Sequence, residues 1–124
     1  MTPQENKQKA EAAYRAFGQG DAAGAMENID DSVEWRARGD NALTGTYKGK
    51  QEVAELWAKL SEKELRTEPH DFIADGDKVV VLTTVSIGGE SEEAADILTY
   101  NSEGRLIAFD QLGDPKIANR VFSK

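Results

Sequence analysis

The sequence predicts an α+β fold, and three observations carry the prediction. Apolar residues at helical spacing are confined to the first half of the 124 residues. The second half is rich in β-branched runs parted by glycine-bearing turns. Only one strand pattern falls among the helices. Runs of helices followed by runs of strands point to a largely antiparallel, mixed sheet rather than to βαβ units. One curved sheet wrapped over about three helices makes a cone, with room for a pocket between sheet and helices.

The elements follow in order. A helix is predicted over residues 5–17, with Ala10, Ala13, Tyr14 and Phe17 at helical spacing and Gly18 and Gly20 ending it. Asp21 is placed to N-cap a short second helix over residues 22–28. In IDDSVEWRARGD, Val33 and Trp35 alternate with Glu34 and Arg36, the pattern of a half-buried strand. The loop GDNALTGTYKG leads into a long helix over residues 50–65, striped by Val53, Leu56, Trp57 and Leu60. The glycines of that loop lack phosphate-loop spacing, so it reads as a connection, with Tyr47 packing at the pocket rim.

Pro69 and the turn ADGD bracket a strand over residues 70–73. KVVVLTTVSI, residues 78–87, is a strand by its β-branched content. The turns GGES and SEGR separate it from a strand carrying Asp96, and that strand from RLIAFDQL. After Asp114-Pro115 one or two helical turns are expected, ending in Val121-Phe122. There is no repeat, linker or low-complexity tract, and a single domain over residues 1–124 is expected.

Composition narrows the function. The net charge is −8, with 23 acidic residues spread along the chain, which argues against a nucleic-acid or anionic-membrane partner. Cysteine is absent, so thiolate nucleophiles, disulfides and zinc–thiolate sites are excluded. One histidine, His70, leaves no expectation of a transition-metal site, and no cofactor is expected. MTPQENKQKAEAAY has no apolar core segment and does not read as a signal peptide. No apolar run approaches membrane-spanning length, so a cytoplasmic protein is expected.

Asp96 is the residue that asks for an explanation. Strand parity puts it on one face with Ala94, Leu98 and Tyr100. A carboxylate on an apolar face must be hydrogen-bonded, raised in pKa, or both. A carboxyl tuned in that way suits general acid/base work on a carbonyl compound. The alternative is a partly wet strand end among the surface residues EES and EEAA. Asp110 lies on the next strand, where one parity sends Phe109 and Gln111 inward and Asp110 outward, and the other brings both carboxylates together. Trp35, Trp57, Tyr14, Phe17 and Phe109 could wall a pocket for a flat or cyclic ligand, or simply form core. His70 reads either as an acid/base at the cavity mouth or as part of a strand start.

The order of elements resembles the nuclear transport factor 2-like superfamily, which includes ketosteroid isomerase, limonene epoxide hydrolase and the SnoaL-type polyketide cyclases. The local text is most similar to the SnoaL-like branch. The matching pieces are GQGDAAGAMENIDDSVEWRARGDNALTGTYKGKQEVAELW, EPHDFIADGDKVVVL and SEGRLIAFDQLGD. Against ketosteroid isomerase, the resemblance puts Asp96 at the oxyanion aspartate. It puts Trp35 or Arg36 at the base, and Ala13, one step from Tyr14, at the first-helix tyrosine, so steroid isomerase activity is not supported. Epoxide hydrolase chemistry is not supported either, because residues 79–87 contain no charged side chain to supply its Arg and first Asp. The resemblance aligns Phe109 and Gln111 with cavity positions. It implies a small hydrophobic ligand and a homodimer formed through the outer face of the sheet. Two functions follow as expectations. One is a cofactor-independent isomerase or cyclase with Asp96 as acid/base or oxyanion donor, Gln111 as a polar orienter and Tyr14, Phe17, Trp35, Trp57 and Phe109 as walls. The other is a binding or dimerising module without chemistry.

Overall fold

The structure is a computed structural model and describes residues 2–124. In chain order its elements are α1 (Pro3–Gly18), α2 (Ala22–Met26), β1 (Ile29–Ala37), β2 (Gly45–Lys48), α3 (Gly49–Glu62), β3 (Arg66–Asp75), β4 (Lys78–Ile87), β5 (Glu90–Tyr100), β6 (Leu106–Leu112) and α4 (Lys116–Val121). The strands form one mixed sheet in the order β2-β1-β6-β5-β4-β3. β1 runs parallel to β6 and every other neighbouring pair is antiparallel. Register shifts fall between Ile29 and Glu34, between Pro69 and Asp71, and between Thr99 and Tyr100. Such irregularities bend and twist a strand, and the open sheet curves into the α+β cone that the sequence predicts.

Local chemistry explains the helix ends. Thr2 Oγ1 accepts from the Glu5 amide while Glu5 Oε1 accepts from the Thr2 amide, both at 3.1 Å, and Pro3 opens α1 without wasting a donor. Asp21 Oδ1 accepts from the Gly24 amide at 2.9 Å, capping α2 as its position predicts. α3 buries Val53, Leu56 and Trp57 against the sheet. Ala10, Val33, Val53, Val79 and Val81 are wholly enclosed, so the core joins α1 and α3 to β1 and β4.

The loop before β2 is fastened to α4. Asn119 Oδ1 accepts from the Asp40 amide at 2.7 Å and from Asn41 Nδ2 at 3.0 Å. Gly39 has φ 118°, and a Cβ there would stand 2.7 Å from that same Asn119 oxygen and 2.9 Å from Pro115 Cβ. Glycine is required by both the backbone conformation and the close approach.

Two details differ from the sequence reading. Residues 45–48, read as loop, form the edge strand β2, whose Tyr47 pairs with Trp35 of β1. Four residues are too few to show a period, and only the neighbouring strand stabilises them. β3 starts at Arg66 rather than near His70, because Pro69 sits at an irregularity on an edge strand, where a missing donor is tolerated. His70 is thus inside a strand, not at its start. α4 joins the three expected helices as a one-to-two-turn segment, as the stretch after Asp114-Pro115 predicts.

The outer face of the sheet carries two cross-strand apolar rows. One aligns Ile73, Val80 and Ile97, and the other Leu82, Ala95 and Leu112. Ile73, Leu82 and Leu112 are exposed. Among the described residues no helix is long and apolar enough to cross a membrane.

Candidate functional site

A cavity of about 230 Å³ lies between the concave face of the sheet and helices α1, α3 and α4. Strand parity builds one wall, since Glu92, Ala94, Asp96, Leu98 and Tyr100 of β5 all line it. Asp96 stands at the middle of that row and is 1% exposed. Register then supplies its first partner. Gln111 is paired with Asp96 across β5 and β6, and its Nε2 donates to Oδ1 at 2.8 Å. The second partner comes from α1, where the Tyr14 hydroxyl donates to Oδ2. Both carboxyl oxygens are therefore satisfied by neutral donors, with no cation bonded to them among the described residues.

Burial raises the Asp96 pKa, against the pull of the Tyr14 and Gln111 hydrogen bonds, which favour the charged form. Burial and the neighbouring Asp96 push the Tyr14 hydroxyl well above its ordinary value, so it remains a proton donor. The result is a neutral phenol and a carboxyl of adjustable charge in one apolar enclosure.

Aromatic rings make a further part of the wall. Trp35 and Phe109 are partners in the parallel pairing of β1 and β6, and their rings stack with centroids 3.7 Å apart and planes 10° from parallel. Trp57 meets Trp35 edge-on at 5.5 Å and Phe17 edge-on at 5.2 Å. Tyr14 is held in place by an edge-on contact with Phe72 at 5.6 Å. Such edge-to-face contacts fix ring positions as well as filling space.

The structure brings Tyr14, Phe17, Trp35, Trp57, Asp96, Phe109 and Gln111 to this one cavity. Phe109 and Gln111 face inward, and Asp110 faces out. There Arg38 bonds both Asp110 oxygens at 2.7 Å, and Arg36 lies 3.9 Å away. The Arg38 bonds hold the Asp110 carboxyl below the usual carboxylate range. Asp110 and Asp96 are consequently not a catalytic pair. Tyr14, one step after Ala13 on α1, is the helix residue whose hydroxyl reaches Asp96. His70 stays exposed on β3, with Nε2 2.6 Å from Thr84 Oγ1, and does not reach the cavity. Tyr47 donates to the Leu43 carbonyl at 2.7 Å instead of lining the cavity, which leaves Leu43 at that rim.

Tyr100, Leu98 and Leu106 also line the cavity and were not expected there. Strand parity alone links Leu98 and Tyr100 to Asp96, and that was the available signal. Among the described residues no group of three or more His, Cys, Asp or Glu side chains is arranged to hold a metal.

The SnoaL-like domain family model matches residues 10–110. No curated protein matches the chain. Several solved structures are similar. A nuclear transport factor 2-like protein of unknown function from Burkholderia pseudomallei is 25% identical, with a TM-score of 0.84 over all of both chains. TerC, co-crystallised with polyporic acid, is 23% identical, with a TM-score of 0.82 over 99% of this chain and 100% of its own. A Sinorhizobium meliloti protein, itself only proposed to be a polyketide cyclase, is 17% identical, with a TM-score of 0.74 over 90% of this chain and 100% of its own.

Proposed function

The chain belongs to the SnoaL-like domain family, a branch of the nuclear transport factor 2-like superfamily, and from that premise we propose that its cavity takes a small hydrophobic carbonyl compound on which Asp96 moves a proton. The observation that carries this reading is a carboxyl 1% exposed in an aromatic-walled cavity, with Tyr14 and Gln111 bonded to its two oxygens.

The step is enolisation. The Asp96 carboxylate takes a proton from the carbon next to the carbonyl; the C–H electron pair becomes a carbon–carbon double bond as the C=O π pair moves onto the oxygen. Protonation of Asp96 removes the charge to which Tyr14 was bonded. The Tyr14 hydroxyl is then free to donate to the new enolate oxygen, while Gln111 keeps the carboxyl in place. Returning the proton at another carbon makes an isomerase. Letting the enolate carbon attack a second carbonyl of the same molecule, with the new alkoxide taking the proton held by Asp96, makes a cyclase. Burial brings the Asp96 pKa closer to that of a useful base, and the chain's own residues supply every group the step uses.

One observation favours the second reading, ligand binding without chemistry. Trp35 occupies the β1 cavity position and stacks on Phe109, so no second carboxyl stands there to act as base. The two readings separate in D2O. Wild-type protein should speed exchange of the α-hydrogens of 2-tetralone, followed by proton NMR, and Asp96→Asn should abolish the acceleration. Equal rates for the two proteins, with the ketone still bound, would leave the binding reading standing and remove the enzymatic one.

The outer sheet face supports a further part of the proposal, a homodimer. Two rows of apolar side chains, with Ile73, Leu82 and Leu112 exposed, form a surface that a second copy of the chain would cover.

A further inference from the structure

We propose that the Tyr100 hydroxyl is a second polar anchor of the cavity, and that the ligand carries a second oxygen placed to meet it. This rests on the carbonyl-binding reading above and names the ligand class more narrowly: a hydroxylated cyclic ketone rather than a simple one.

Tyr100 is 3% exposed, and its hydroxyl makes no hydrogen bond among the described residues. Asn6 Oδ1 is the single fully enclosed side-chain polar atom there that lacks a partner. The Tyr100 oxygen, which lacks one too, is therefore not fully enclosed, and its side chain lines the cavity. A buried hydroxyl left without a partner is costly, so proteins rarely keep one that nothing meets. Tyrosine in place of phenylalanine at a buried strand position thus has a use in what fills the cavity.

The position of Tyr100 defines that use. It lies four residues after Asp96 on the same face of β5, with roughly 13 Å between the two Cα atoms. Leu98 lies between them and is buried, so the span is apolar in the middle and polar at both points. Lys9 lines the cavity near the same end, where its Nζ donates to the carbonyl of Gly104 in the turn after Tyr100 at 2.9 Å. That positive charge favours an oxygen acceptor there, such as a phenol or enol oxygen. The ligand class this arrangement calls for is a cyclic compound with an oxygen at each end, its carbonyl at Asp96 and Tyr14 and its hydroxyl toward Tyr100.

The test compares two probes, 2-tetralone and 6-hydroxy-2-tetralone, by isothermal titration calorimetry against wild type and Tyr100→Phe. The wild type should bind the hydroxylated probe more tightly. The variant should lose about five- to tenfold in affinity for that probe alone, the usual effect of one lost neutral hydrogen bond. Its melting temperature should stay level or rise, since no protein partner is lost. Equal affinities of the variant for both probes relative to wild type would overturn the Tyr100 assignment and leave carbonyl binding intact. A variant that melts lower and loses both probes alike would show a structural hydroxyl and overturn it too. Failure of wild type to bind either probe would remove the carbonyl-binding reading, and this inference with it.

Discussion

The Tyr14 hydroxyl donates to Oδ2 of Asp96, joining the first helix to the middle of β5 across 82 residues of chain. The bond closes the cavity side of the carboxyl that Gln111 already holds from the neighbouring strand. Its consequence is a carboxyl whose charge is tuned by two neutral donors and by burial. Among the described residues no cation is bonded to it, so its ionisation stays sensitive to what enters the cavity.

Removing that donor should be felt in the chemistry. Tyr14→Phe should slow Asp96-dependent exchange of ketone α-hydrogens by about 10²–10³, the usual cost of losing one oxyanion donor. It should also raise the Asp96 pKa further, because a bond to the charged form is gone. Carboxyl carbon shifts followed by NMR during a pH titration would read the second effect. An unchanged Asp96 titration in Tyr14→Phe would mean that the bond does not form in solution.

Stability should depend on pH through Asp96, and the sign follows from its raised pKa. Folded Asp96 holds its proton more tightly than the unfolded carboxyl, whose value is about 4. Stability is thus lost as pH rises from that value through the folded one, and the loss is complete above it. Asp96→Asn cannot ionise and should gain on wild type across this window, melting about 2–6 °C higher at neutral pH than the difference at acid pH allows. Thermal melts at several pH values check it. A difference that stays flat with pH would mean that Asp96 is not raised.

The sheet's outer face predicts an oligomeric state. Light scattering with size exclusion should give a dimer mass for wild type and a monomer mass for Leu82→Glu, which sets a charge into an apolar row. Ketone binding to the variant reports that its cavity has survived. A monomeric wild type would end the dimer proposal.

At the loop seam, Gly39→Ala should destabilise the protein by about 1–3 kcal/mol. The new Cβ would strain a φ of 118° and collide with Asn119 and Pro115. Chemical denaturation measures the cost. A neutral result would show that α4 yields easily, and that the cavity rim it carries is mobile.

How much of this was legible beforehand differs from residue to residue. Periodicity by itself determined the helices, the β4–β6 meander and the shared face of Asp96, Leu98 and Tyr100, because side chains alternate along a strand; that this face lines a cavity came only with the fold. The absence of cysteine and the single histidine determined which chemistries were closed. Alternation could not orient β6, since Leu106, Ile107, Ala108 and Phe109 are apolar at every step. Cross-strand register decided it by setting Gln111 opposite Asp96 and leaving Asp110 to Arg38. Nor could spacing connect Tyr14 to Asp96, or show the Tyr100 hydroxyl without a partner. Hydrogen bonds between residues far apart in the chain depend on how a helix lies across a curved sheet, and that placement exists only once the core has packed.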